Sequence, residues 1–265
     1  MNEIESTLII ANDRSQINID TIDKIIALER VGQYPIIQGR FISITDSYYD
    51  DINTSLHRSG CSLRIRQSNQ DILITLKVSP EYVDNEITKK VEIERPWSPD
   101  SLSEITGELK KEGLQLKPTP DNISSLDPHI ALQILGLQLI QTRLNDRLTK
   151  TILSPYRSNV VAEMAIDHVT YNIDTEPVKH NEIEIEAKQS GNISDVQNIT
   201  NELKLLYPQT LCPWKFGKLS TGMAIDSLYK NNHFFEGFLF EDRSLNKSGY
   251  NALHEILSLV HEDTR

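Results

Sequence analysis

The stretch Asn181-Glu182-Ile183-Glu184-Ile185-Glu186-Ala187-Lys188 decides the fold. With a period of two it puts Glu182, Glu184, Glu186 and Lys188 on one side of a strand, and Ile183, Ile185 and Ala187 on the other. A helix would scatter those charges round its axis. The same grammar recurs along the 265-residue chain. Glu3 and Glu5 flank Ile4, and Arg64 and Arg66 alternate with Leu63 and Ile65. Thr75 and Lys77 alternate with Ile72, Ile74 and Leu76, and Lys90, Glu92 and Glu94 with Val91 and Ile93. Further on, Arg143, Asn145 and Arg147 oppose Leu144 and Leu148, and Glu163 and Asp167 oppose Met164 and Ile166. The eighth segment, Tyr34–Ile44, changes its polar parity after Arg40, as a bulge near Gly39 would cause.

Between these segments lie helical patterns. Residues 20–30 start at an Asp20 cap, and residues 101–113 and 128–139 form an insertion interrupted by Pro118 and Pro120. Three more helices are expected over 193–206, 219–230 and 249–261. Eight strands interleaved with helices predict a mainly β (α+β) fold, a closed eight-stranded antiparallel β-barrel decorated by outer helices. The barrel would take residues 1–230 with the insertion at about 100–140. A helical extension would follow at 231–265, anchored in the core by its four Phe.

One such strand alone would be a sheet with a wet polar face. The set argues otherwise, because arginines cluster on some strands and glutamates on others. Three glutamates at neighbouring same-face positions repel one another unless cations face them. The aliphatic sides in turn need a cover, which the helices supply. Charge therefore turns inward. An outer-membrane barrel shares this inversion. The intervening helices, the 6% aromatic content and an N-terminus without a secretory signal speak against one.

The formal net charge of -11 (38 acidic residues, 27 basic) excludes a general nucleic-acid surface. No apolar run is long enough to span a bilayer. Cys61 and Cys212 fit no metal spacing and no disulfide framework, so a cytoplasmic location is expected. On the inward parity, bases nearly balance acids. Arginine pairs match phosphate oxygens, and carboxylates without His or Cys select hard ions such as Mg²⁺ or Mn²⁺. A polyphosphate with two such ions satisfies both sets. There is no Gly-rich phosphate loop, no HExxH and no GxSxG. His57 is expected at the surface and His168 outside the lumen.

At these residues the chain resembles the CYTH group of triphosphate tunnel metalloenzymes, over roughly residues 3–225. EIEST resembles the opening ExExK, and SYYDD a YYDT stretch with Tyr48, Tyr49 and Asp50 in place. SGCSLRIR, ITLK, VEIER, AEMAID, EIEIEAK and FGKLSTG then follow in the family's order. The resemblance implies a tunnel with two divalent ions that cleaves or cyclises a small triphosphate compound. Glu3, Glu5, Glu182, Glu184 and Glu186 would face metal. Arg64, Arg66, Lys77, Arg143, Arg147 and Lys218 would hold phosphate. Lys90, Glu92 and Glu94 are assigned to catalysis, and Glu163, Asp167 and Lys188 are further tunnel residues. Two departures stand out: Thr7 replaces the lysine of ExExK, and Gly217 replaces the closing serine. The leading expectation is a triphosphatase of the inorganic triphosphatase kind, acting on tripolyphosphate or a related compound. A class IV-type adenylate cyclase and a non-catalytic polyphosphate- or nucleotide-binding module are the alternatives. The protein would be a monomer or homodimer without nucleic-acid or membrane partners.

Overall fold

The computed structural model describes residues 2–82, 86–118, 126–156, 158–173, 176–188, 190–231 and 236–262. The first half of the chain gives β1 (Asn2–Ile10), α1 (Ser15–Ala27), β2 (Arg30–Val31) and β3 (Tyr34–Asp50). After α2 (Ser55–Arg58) come β4 (Ser62–Ser68), β5 (Asp71–Tyr82) and β6 (Ile87–Pro96). The insertion holds α3 (Pro99–Lys111) and α4 (Pro128–Ile134). The second half gives β7 (Gln138–Leu153), β8 (Val160–Ile173), β9 (Glu176–Ala187) and α5 (Ile193–Leu206). It ends with β10 (Leu211–Pro213), α6 (Lys218–Lys230) and α7 (Lys247–Glu262).

The strands pair in the order β10-β1-β6-β5-β4-β3-β7-β8-β9, with β2 attached to β3 and a further pairing of β1 with β9. The expected β-rich barrel fold is the one observed. Its β1–β9 seam is short, five register pairs from Glu5↔Glu186 to Ile9↔Glu182, against twelve between β8 and β9. The curled sheet is joined there but is not closed along its full height.

The chain divides into two compact units, each with its own apolar core. The unit built on Ser43–Glu81 and Lys90–Leu144 packs Leu63 and Ile65 of β4 and Ile74 and Leu76 of β5 under α3 and α4, against Leu102, Ile105, Leu109, Ala131 and Leu132. These strand residues are the aliphatic parity of the sequence, and each buried Leu or Ile contributes roughly 1.5–3 kcal/mol. The unit built on Glu3–Ile42, Tyr82–Lys89 and Asn145–Arg265 packs Met164, Ile166, Ile183 and Ile185 against α1 and α5. Its second core sets Val169, Tyr171 and Val178 against Trp214, Phe216, Tyr250, Leu253 and Leu257. Aliphatics thus lie under helices in both units, as the inversion argument requires.

Several boundaries differ from expectation for local reasons. Helix α1 starts at Ser15, and Asp20 lies inside it, accepting from Gln16 Nε2 at 2.8 Å. The helix predicted over 128–139 stops at Ile134, because Gly136 turns to φ +94 and β7 begins at Gln138. Helix α5 matches its predicted span, fixed by the Asn192–Asp195 capping box. Gly39 is a point of close approach: a Cβ there would meet the Thr149 carbonyl oxygen at 2.0 Å. Phe234 and Phe235 lie outside the described residues. Phe238 and Phe240 are half-buried, and Tyr250, Leu253 and Leu257 of α7 lie in the second unit's core.

Candidate active site

In the first unit the charged parity of β3, β4, β5, β6 and β7 converges on Asp46. This carboxylate is 0% exposed and accepts from Arg66 Nε (2.8 Å), Arg66 Nη2 (2.9 Å) and Arg143 Nη2 (2.9 Å), with Arg64 Nη1 at 3.8 Å. Burial opposes its ionisation, but Arg64, Arg66 and Arg143 outweigh that and hold it well below the usual carboxylate range. Arg64 also donates to Glu92 Oε1 (3.1 Å) and Glu94 Oε2 (3.4 Å). Lys77 Nζ lies 3.3 Å from Glu92 Oε2, and Thr75 Oγ1 donates to Glu94 Oε2 at 3.0 Å. Tyr48 completes the group. Its hydroxyl accepts from Arg143 Nη2 (2.5 Å) and Arg64 Nη1 (3.4 Å), and the Arg143 guanidinium stacks 4.7 Å from its ring centroid. Among the described residues four cations here face three carboxylates, so the group has cationic character.

In the second unit the charges converge on an acidic trio. Ligand oxygens of Asp167, Glu182 and Glu184 all lie within 4.8 Å of one another. The trio is built by register, since Asp167 is opposite Glu182 across the β8–β9 ladder and Glu184 follows two residues on. Arg147 donates to Asp167 Oδ1 (2.7 Å), Asp167 Oδ2 (2.6 Å) and Glu184 Oε2 (2.5 Å). Lys218, the first residue of α6, places its ammonium among all three acids. It lies 2.6 Å from Glu184 Oε1 and 3.0 Å from Asp167 Oδ2, and it pairs with Glu182 Oε1. Burial disfavours this ammonium, but Asp167, Glu182 and Glu184 raise its pKa above the ordinary lysine value. The trio can hold a divalent metal: its donors are hard oxygens, converge on one point, and already surround a cationic nitrogen there.

Behind the trio stands His180, which is 0% exposed and shares a 2.6 Å hydrogen bond through Nε2 with Glu182 Oε2. Tyr250, Tyr171 and Trp214 enclose its ring at centroid distances of 5.6, 6.3 and 6.5 Å. This packing fixes one oxygen of Glu182 and leaves the other to the Lys218 side.

The sequence matches the CYTH domain over residues 22–211, most of the chain. The chain belongs to the CYTH family. Among curated proteins none matches it. Among solved structures, this CYTH chain is similar to a Hippeastrum protein named as an adenylyl cyclase candidate and described as having a dominant triphosphatase activity. The two are 14% identical with a TM-score of 0.53, over 89% of this chain and 98% of that one. It is also similar to an adenylate cyclase candidate from Bacillus halodurans, at 17% identity and a TM-score of 0.52, over 82% and 96% of the two chains. At such identities the likeness concerns the fold.

The CYTH residues expected from the sequence fall into place unevenly. Arg64, Arg66, Lys77, Arg143, Glu92 and Glu94 gather round Asp46, while Arg147, Lys218, Glu182, Glu184 and Asp167 gather round the trio. Glu5, Glu186 and Glu163 form a separate acidic row, since Glu186 is opposite both Glu5 and Glu163. Burial, opposed by the 2.6 Å pair with Lys188 Nζ, raises the Glu186 pKa. Glu3 is half-buried on β1, and the side chain of Lys90 lies outside the described residues. Of the expected Tyr48, Tyr49 and Asp50, only Tyr48 joins a charged group. Tyr49 bonds His129 Nδ1, and Asp50 caps α2 by accepting from Leu56 N and His57 N at 2.9 Å each. His57, expected at the surface, is half-buried through that contact. Asp46, Thr75 and His180 were not among the expected site residues. His180 shares the parity of Glu182, so extending the alternation two residues upstream finds it.

Proposed function

We propose that the chain is a divalent-metal-dependent triphosphatase, acting on inorganic tripolyphosphate or a related triphosphate compound. The observation that carries this is the Asp167–Glu182–Glu184 trio, two of its members buried and one half-buried, surrounding the Lys218 ammonium. Such a set exchanges a divalent ion and binds anionic oxygen through its own cations. The triphosphatase activity described for the Hippeastrum relative supports the same reaction class.

In this reading, hydrolysis joins a water oxygen to the terminal phosphorus. The bridging P–O bond breaks, and its electron pair leaves on the diphosphate. Asp167, Glu182 and Glu184 would hold Mg²⁺ or Mn²⁺, which when bound polarises phosphate oxygens and acidifies water. In the second unit Arg147 and Lys218 would bind phosphate oxygens and offset the charge that gathers on the leaving group; Arg64, Arg66, Lys77 and Arg143 are the phosphate-binding cations assigned to the first unit. The bidentate Arg66–Asp46 and Arg147–Asp167 pairs, which hold their guanidinium planes in place, support this reading. Glu94, whose side chain is 37% exposed, is the first unit's candidate for taking up a proton and passing it to solvent. Lys90 and Glu92 complete the catalytic assignment, and Glu3, Glu5 and Glu186 would hold the second ion. Free Cys61 and Cys212 accord with a cytoplasmic location, and no described helix is long and apolar enough to cross a membrane.

The test is phosphate release from tripolyphosphate and nucleoside and thiamine triphosphates with Mg²⁺, Mn²⁺ or EDTA. Metal-dependent release from at least one compound is expected. A protein that binds tripolyphosphate but releases nothing with any divalent ion would be the binding module instead. A second reading, cyclisation of ATP, is favoured by the cyclase names of both structural relatives. It yields cyclic AMP and diphosphate, which product separation tells apart from ADP and phosphate.

A further inference from the structure

We infer that Asn145 is a ligand-binding residue, kept in the polar wall of β7 to meet the substrate with its carboxamide. Four observations carry this. Asn145 is 1% exposed, yet neither its Nδ2 nor its Oδ1 has a hydrogen-bond partner among the described residues. No other described side chain leaves a whole buried amide unmatched. Its strand neighbour Leu144, on the opposite parity, is 47% exposed. An ordinary half-buried strand would do the reverse, with leucine inside and asparagine in water. Finally, Asn145 shares its face of β7 with Arg147, two residues on, whose guanidinium is anchored by Asp167 and Glu184.

A buried amide without partners costs stability, and an apolar residue of the same shape would be neutral or better. Such a group is retained where something outside the fold completes it. The chemistry of that partner follows from the amide. The N–H₂ group donates to an anionic oxygen, which the adjacent guanidinium already attracts. The carbonyl accepts from a hydroxyl or water carried with the same ligand. Arg147 supplies charge, which any phosphate satisfies. Asn145 supplies direction, which distinguishes a correctly seated triphosphate from one displaced along the strand.

This inference rests on the triphosphate reading, and the experiment separates the two. Tripolyphosphate is titrated into wild type, Asn145→Leu and Asn145→Ala, with EDTA and separately with Mg²⁺, and the melting midpoint of each ligand-free protein is recorded. Expected are a roughly tenfold or larger loss of affinity in both variants and a ligand-free midpoint for Asn145→Leu equal to wild type or higher. Asn145→Ala tests the amide without added bulk. Wild-type affinity in Asn145→Ala overturns the inference and leaves the triphosphate reading standing. So does a ligand-free Asn145→Leu midpoint well below wild type, which would make the amide a structural group. Wild type that binds no tripolyphosphate in either condition overturns both.

Discussion

The Lys218 ammonium lies 2.6 Å from Glu184 Oε1 and 3.0 Å from Asp167 Oδ2, at the point on which the acidic trio converges. This lysine, together with Arg147, offsets the repulsion within the trio, from a position at the start of a helix rather than on the sheet.

Lys218→Met removes the one cation that pairs with all three buried or half-buried carboxylates among the described residues, and leaves Arg147 paired with Asp167 and Glu184. Breaking such a pair by removing one partner costs about 3–5 kcal/mol. The melting midpoint should fall in EDTA and recover with Mg²⁺ or Mn²⁺. An EDTA midpoint that no divalent ion raises would show that the trio does not bind metal.

Glu184→Gln keeps the shape of the side chain and removes one charge from the trio, while Arg147 and Lys218 retain Asp167. Phosphate release should drop at least about a hundredfold, and the Mn²⁺ concentration needed for half-maximal rate should rise. Wild-type turnover in this variant would remove the trio from the mechanism.

Asp46 makes acid stability a test of the first unit. Its carboxyl is held below the ordinary value of 3.8 by three guanidinium groups that outweigh burial. The unfolded chain therefore takes up this proton first as the pH falls. The stabilisation is complete above 3.8 and is lost as the pH drops toward the lower folded value. Melting midpoints measured from neutral pH down to about pH 2 should fall more steeply below about pH 4 in wild type than in Asp46→Asn. Parallel curves would mean that Asp46 is not the group responsible.

Thr7 stands directly opposite Glu184 across the β1–β9 seam. Thr7→Lys adds a second ammonium beside the trio, in the position where the family's opening element carries lysine. Tripolyphosphate KM should fall with little change in the melting midpoint. An unchanged KM would mean that Lys218 already supplies all the cationic charge this position can use.

The strands and their inner faces were legible because period-two alternation survives in a sheet whatever its tertiary context. Leu63, Ile65, Ile183 and Ile185 lie under helices as their parity demands. The β3 strand was harder. Ile42 and Ile44 share the parity of Asp46 and Tyr48, so hydrophobicity pointed that face outward, although Asp46 is the centre of the arginine group. A single buried carboxylate leaves no periodic trace. The family stretch containing Tyr48, Tyr49 and Asp50 was recognisable. Its division of labour was not, because the capping of α2 by Asp50 depends on a turn that alternation does not describe. Asn145 was visible on the polar parity, but an unmatched amide can be seen only once its neighbours are placed.

Lys218 has a consequence for the movement of strain through the second unit. Its side chain enters the trio, while its own carbonyl accepts from the buried Tyr171 hydroxyl at 2.8 Å. A divalent ion that evicted the ammonium would therefore remove one of the tethers on the first turn of α6, which packs in the same core as α7. Ion occupancy and the anchoring of that helix pair would then be a single coupled equilibrium, to which thermodynamic reciprocity applies. Whatever held α6 down would loosen the grip on the ion, and whatever freed α6 would tighten it.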